Sequence, residues 1–393
     1  MLSLFFHRLL EDTDAPNYIV FQTKENPLIE RIVRQIFLEN FEYDSYVNRS
    51  DIYWLNLLCI NILRDSRSVV RHSSYSKASE YAPILKYIEH KYQTVSLKYL
   101  SEKYGYTPDV EHISKRLDMI ASNVDLMSTP EALKTCFACM DITTLKTNDI
   151  PASVAKLVTK VNTIASDYPD YPLPASICVY PNFASVVSEK RCDPSVHVTT
   201  VSSCFPSAQS FLEVKVRECE LAVEAGADEI DIVLALNSFL ADDYAKAGEE
   251  IAAMRKAIDA QAEKLSKTVV LKVILETGLL VTPERIAEAS FLAMENGADF
   301  IKTSTGKVDV NATPTAAYVM CECIKKFNEA TGKKVGFKAA GGISSAPDAV
   351  CYYSIVSTVL GKEWLNKDLF RLGVSRLANS LMSAIEQKTV SFF

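Results

Sequence analysis

The chain has 393 residues, 48% hydrophobic and 23% charged, enough to bury a sizeable core and too mixed for a disordered or fibrous protein. Its 42 Lys/Arg against 49 Asp/Glu leave a formal charge of −7, which gives no electrostatic case for a nucleic-acid partner. No run of 18 apolar residues is present, and the apolar start at residues 1–10 is broken by His7 and Arg8, so neither a membrane span nor a secretory leader is expected.

Residues 1–116 hold 15 basic and 15 acidic residues, so the remaining 42 − 15 = 27 and 49 − 15 = 34 carry the whole negative excess. Their pattern is mainly helical: 52–63 is strongly apolar, 81–92 is amphipathic, and the serine-rich 66–79 links two small pieces. The segments 81–92 and 95–108 together resemble the first helix-turn-helix of arabinose-regulator-type transcription factors. The likeness fades at Asp109-Val110-Glu111, where a recognition helix would meet DNA and where acidic groups oppose phosphate contacts. No second motif of that kind follows. A small helical domain with a degenerate helix-turn-helix is expected over residues 1–116, and a second domain over 117–393.

Ten cysteines in so long a chain read as a reduced set, and a cytoplasmic protein is expected. Cys136 and Cys139 form one C-x-x-C with no partner pair at metal-site spacing, and read as packed thiols. From there onward short apolar runs alternate with amphipathic stretches. The runs cover 139–145, 176–181, 196–202, 229–236, 269–277, 299–305, 335–343 and 371–375, each rich in Val, Ile and Leu as strands buried on both faces require. Thr282-Pro283 and Thr313-Pro314 mark helix starts, while Gly226, Gly297 and Gly332 mark helix stops. Eight strands alternating with helices over about 250 residues predict a (β/α)8 TIM barrel.

One pattern occurs twice. Gly226-Ala227-Asp228 and Gly297-Ala298-Asp299 each lead into a strand with a charged residue three positions past the aspartate, Asp231 and Lys302. The offset of 71 residues is about two βα units.

Lysine inside a buried strand is costly unless it is paired or neutral, and a neutral lysine is a nucleophile. Lys272, Lys302 and Lys338 occupy such places on three successive strands. Neighbouring strands lie about 4.8 Å apart, so two inward ammonium groups repel and one pKa falls. Asp231, and less clearly Asp141, supply the opposing charge and a route for protons. Thr305-Gly306-Lys307, Gly341-Gly342 and Gly373-Val374-Ser375-Arg376 end three adjacent strands, the place where barrels hold phosphate. His197 is the single histidine after residue 116, too few for a zinc aldolase, and reads as structural. No G-x-G-x-x-G opens a helix after a strand, which leaves a dinucleotide site without support.

The segments 140–145, 177–181, 229–231, 271–278, 299–307, 336–342 and 370–375, in this order and spacing, resemble the deoxyribose-phosphate aldolases, a family of class I aldolases. The resemblance implies reversible cleavage of 2-deoxy-D-ribose 5-phosphate to acetaldehyde and D-glyceraldehyde 3-phosphate, in deoxyribonucleoside catabolism, without a metal or other cofactor. It implies that Lys302 forms the Schiff base, that Lys338 lowers the pKa of Lys302, and that Asp231 relays protons with Lys338 and a water. Asp141, Thr143 and Cys178 fall where the family lines its site, with Lys272 and Thr305 joining the substrate-binding set. Gly306, Lys307, Gly341, Gly342, Gly373 and Ser375 fall where it holds phosphate, with Arg376 beside them. Three departures stand out: Ala339 in place of a proline, Arg376 in place of a serine, and a Phe392-Phe393 terminus without the tyrosine some members use in proton exchange. The expected partner is a small sugar phosphate, with assembly as a homodimer left open. The rival readings are a class I aldolase for another sugar phosphate and a transcription regulator with a sugar-phosphate-sensing barrel.

Overall fold

Eight parallel strands close on themselves in sequence order, from β1 to β8 and back to β1. The structure, a computed structural model, describes residues 99–393. The strands are β1 Met140–Thr143, β2 Ser176–Val179, β3 His197–Val201, β4 Glu229–Val233, β5 Val270–Ile274, β6 Phe300–Lys302, β7 Gly336–Ala340 and β8 Phe370–Val374. Each falls inside or within one residue of an apolar run predicted above. Helices follow the strands and wrap the barrel, and their buried faces form one continuous core with the outward side chains of the strands. The expected apolar stretch 52–63, the linker 66–79 and the first helix of the helix-turn-helix resemblance, 81–92, lie outside the described residues.

Local sequence sets the helix ends as expected. Thr282 and Thr313 accept the backbone N–H groups of Arg285 and Ala316, each with proline in the first turn. The repeated Gly-Ala-Asp does the same work twice. Gly226 and Gly297 turn the chain at φ +102° and +100°, where a Cβ would strike Ser188 and Arg255. Asp228 then accepts Val198 N–H at 2.9 Å and an Arg191 guanidinium N–H. Asp299 likewise accepts Leu271 N–H at 2.9 Å and an Arg255 guanidinium N–H. Each aspartate thus fastens the start of the preceding strand and sets the register of the charged residue that follows.

The segment before β1 is docked on the barrel. Leu100 N–H and Ser101 N–H donate to the Glu288 carboxylate, and the Tyr104 ring stacks on Phe291 at 4.6 Å. Helix Val110–Met127, at the place of a recognition helix, buries Ile113 and Ile120. It packs on helices Pro314–Thr331 and Ala346–Val359. Cys136 and Cys139 are wholly buried and unpaired, as small core residues. At the other end, Asn379 accepts the N–H groups of Phe392 and Phe393 and donates to the Phe393 carbonyl. Lys160, on helix Pro151–Asn162, donates to the Phe392 carbonyl and lies over that ring.

Candidate active site

A strand turns alternate side chains inward, so residues two apart share the barrel interior. Asp231 and Glu229 on β4, Lys272 on β5, Lys302 on β6, Lys338 on β7, Arg371 on β8 and Asp141 on β1 all meet there, each at most 4% exposed. Asp231 is the hub. Its Oδ1 accepts Lys272 Nζ at 3.0 Å, and its Oδ2 accepts both Lys302 Nζ at 2.8 Å and Lys338 Nζ at 2.7 Å. Lys338 also pairs with Asp141, and Lys272 with Glu229. Arg371 forms the floor, reaching Asp141 at 2.6 Å and both oxygens of Glu229 at 3.0 and 2.6 Å. His197 Nδ1 lies 2.7 Å from the same Glu229.

Four cations face three carboxylates, 4 − 3 = +1 if all are charged, so one neutral lysine balances the set. Lys302 is the lysine driven that way: burial pushes its pKa down, Asp231 resists, and Lys338 pushes it further down. Burial also acts against charge on Lys338, but Asp141 and Asp231 on either side outweigh it and hold the ammonium charged. Asp231 is held well below the usual carboxylate range because its three lysines outweigh its burial. The arrangement is an amine whose charged form burial disfavours and an ammonium, both on one carboxylate oxygen, which suits amine attack on a carbonyl with proton transfer alongside.

Glu229 and Arg371 were not singled out by sequence. The available signal was their spacing, two residues before Asp231 and Gly373 on inward faces. Glu276 was missed too. It takes a left-handed φ of +54° and, 2% exposed, accepts Thr305 N–H at 3.1 Å and Thr305 Oγ1–H at 2.5 Å. Thr305 is therefore tied to the protein.

The three loops expected at phosphate lie where adjacent strands β6, β7 and β8 end. Gly306, Gly341 and Gly342 have φ of +78°, +85° and +82°, and open space lies beyond Gly306 and Gly342. Lys307 donates to the Leu145 carbonyl at 2.7 Å, which ties the β6 loop to the β1 loop. Gly373 lies within β8, where a Cβ would stand 3.1 Å from Lys338 Cε. Ser375 and Arg376 are exposed and border a cavity of about 640 Å3, together with Lys146, Lys156 and Lys160. Thr143 also borders that cavity, and its hydroxyl donates to the Asp141 carbonyl. Cys178 is wholly buried, and burial pushes its thiol pKa up.

Residues 135–350 match the model of the DeoC/LacD family aldolases. A deoxyribose-phosphate aldolase of Agrobacterium fabrum is 37% identical over 266 residues, 67% of this chain and 95% of that protein. A Caenorhabditis elegans protein provisionally given the same description is 37% identical over 280 residues, 70% of this chain and 89% of that one. Among solved structures, the deoxyribose phosphate aldolase of Aeropyrum pernix, described as tetrameric, is similar at a TM-score of 0.50 and 26% identity, covering 70% of this chain and 98% of that one.

Proposed function

The chain belongs to the DeoC/LacD family of aldolases, and from that premise we propose that Lys302 is the amine through which it works. It is an aldehyde-lyase that cleaves 2-deoxy-D-ribose 5-phosphate reversibly to acetaldehyde and D-glyceraldehyde 3-phosphate. The observation that carries the role of Lys302 is the contact of its Nζ with Asp231 beside the charged Lys338.

Neutral Lys302 Nζ attacks C1 of the open-chain sugar, and water leaves to give an iminium. The C3 hydroxyl loses its proton, the C2–C3 bond breaks, and its electron pair passes through C2 to the iminium nitrogen as an enamine. Glyceraldehyde 3-phosphate departs. Protonation of C2 and hydrolysis then release acetaldehyde and restore the amine. Asp231 with Lys338, through a water, is the proposed proton route, and Asp141 holds Lys338 in place. Lys272 fixes the second oxygen of Asp231. Thr143 and Cys178 line the sugar site, and Thr305 shapes it by anchoring the β6 loop to Glu276. Gly306, Gly341, Gly342, Ser375 and Arg376 are proposed to hold the phosphate, with Lys307 bracing the loop and Gly373 making room for Lys338.

This reading needs no metal or organic cofactor, since the iminium nitrogen is itself the electron sink. It places the enzyme in deoxyribonucleoside breakdown in the cytoplasm, consistent with nine unpaired cysteines among the described residues. We also propose a homodimer, to be checked by light scattering. For the chemistry, incubation with acetaldehyde and sodium borohydride followed by peptide mass mapping should place a reduced adduct on Lys302. An adduct on Lys272 or Lys338 instead, or none, overturns the assignment.

A further inference from the structure

The loop after β5 holds the loop after β6 at three places. Thr277 N–H donates to the Thr303 carbonyl at 2.9 Å, extending the β5–β6 ladder beyond Ile274 and Lys302. The Glu276 carboxylate accepts Thr305 N–H on Oε1 at 3.1 Å and Thr305 Oγ1–H on Oε2 at 2.5 Å. Gly278 lies so close to Val310 that a Cβ would stand 2.0 Å from the Val310 carbonyl oxygen. The middle contact is made from a strained backbone. Glu276 has φ +54° and ψ +56°, a left-handed conformation that a residue with a side chain keeps only where its surroundings enforce it. Both oxygens of this buried carboxylate are engaged by one residue of the neighbouring loop.

Thr305 passes that restraint along. Its hydroxyl donates to Glu276 and accepts Lys307 N–H at 3.1 Å. In the turn Thr305-Gly306-Lys307, two of the three backbone N–H groups are thus committed, one to Glu276 directly and one through Thr305. Gly306 N–H has no acceptor among the described residues, and Gly306 is exposed with open space beyond its Cα.

We propose that Glu276 is a positioning residue for the substrate phosphate: acting through Thr305, it holds the turn after β6 in the shape that leaves Gly306 N–H for a phosphate oxygen. The proposal rests on the reading that the loops after β6 to β8 hold the phosphate. A carboxylate cannot itself attract that anion, so the role is indirect. Without Glu276, the buried Thr305 N–H and hydroxyl lose their acceptor and turn elsewhere, since an unpaired buried donor is costly. The Thr305 hydroxyl then no longer stays under Lys307 N–H, and the turn between them loosens. A backbone N–H donating to an anion makes one of the stronger hydrogen bonds of a protein, and misaligning one weakens binding by about 10- to 10²-fold.

The test measures kcat/KM for 2-deoxyribose 5-phosphate and for 2-deoxyribose, which differ only by the phosphate, in the wild type, Glu276→Ala and Thr305→Val. Both variants should narrow the ratio of the two by about 10- to 10²-fold, chiefly through a higher KM for the phosphate ester. Inorganic phosphate should inhibit both variants more weakly than the wild type by a like factor. Borohydride trapping of acetaldehyde, which carries no phosphate, should still label Lys302 in each variant and so report an intact fold and amine. In a variant that labels, an unchanged ratio or a parallel loss on both substrates overturns the proposal. Should Glu276→Ala fail to label, Thr305→Val decides, and failure of both to label overturns the proposal by showing that the contact serves the fold. A wild type without preference for the phosphate ester overturns the reading of the phosphate loops, and this proposal with it.

Discussion

Lys302 and Asp231 occupy matching places in the two copies of the Gly-Ala-Asp pattern, and in the folded barrel they touch at 2.8 Å. The repeat puts opposite charges on β4 and β6, and Lys272 on the strand between them bonds the other oxygen of Asp231. Duplicated backbone geometry therefore brings the amine to its carboxylate.

Burial pushes the pKa of Lys302 down, and the like charge of Lys338 pushes it further down. Removing that charge, as in Lys338→Met, should raise the pKa of Lys302. The acid limb of kcat/KM against pH should then move to higher pH, while overall activity falls by about 10²- to 10⁴-fold through lost proton transfer. A pH–rate series on both proteins measures it. An activity loss with an unmoved acid limb would limit Lys338 to proton transfer.

Asp231→Asn leaves three buried lysines with too few carboxylates. The expected cost is about 3–5 kcal/mol in urea unfolding at neutral pH, because breaking a buried pair strands its partners. The folded pKa of Asp231 is depressed, so its stabilisation is present above about pH 4, the unfolded value, and is lost as pH falls toward the folded one. Between pH 7 and pH 3 the variant should therefore lose less stability than the wild type.

Gly373→Ala adds a methyl 3.1 Å from Lys338 Cε and 2.9 Å from Ala340 Cβ. Overpacking of this kind costs about 1–3 kcal/mol, and a displaced Lys338 should lower kcat on the order of tenfold to a hundredfold. Thermal melts and steady-state kinetics separate the two effects. If Gly373 acted on phosphate alone, KM would rise with kcat preserved.

A chain beginning at residue 117 loses Leu100, Tyr106 and Ile113 from the surface of the barrel helices and cuts helix Val110–Met127. It should unfold at lower urea than a chain beginning at residue 99, by at least about 3 kcal/mol, the burial of two large apolar side chains. Equal midpoints would show that residues 99–116 dock without stabilising.

The barrel was legible because buried parallel strands read as unbroken apolar runs between capped helices, and the three lysines and Asp231 stood out as charges within those runs. Glu229 and Arg371 escaped notice for the opposite reason. Each is the first residue of its run, Glu229 directly after Asp228 and Arg371 three residues after Asp368, where charge is unremarkable. Glu276 is hidden because its left-handed backbone breaks the alternation that locates inward residues. The Lys307 contact with the Leu145 carbonyl joins loops 162 residues apart, and only closure of the barrel brings them together.

That closure also involves Phe392 and Phe393. A barrel formed in sequence order has one junction, β8 against β1, that no βα connection spans. Phe392 and Phe393 lie across it, held by Asn379 on the helix after β8 and by Lys160 on the helix after β1. Phe392 and Phe393 act as a clasp, and a handful of bonds keep the first and last βα units side by side.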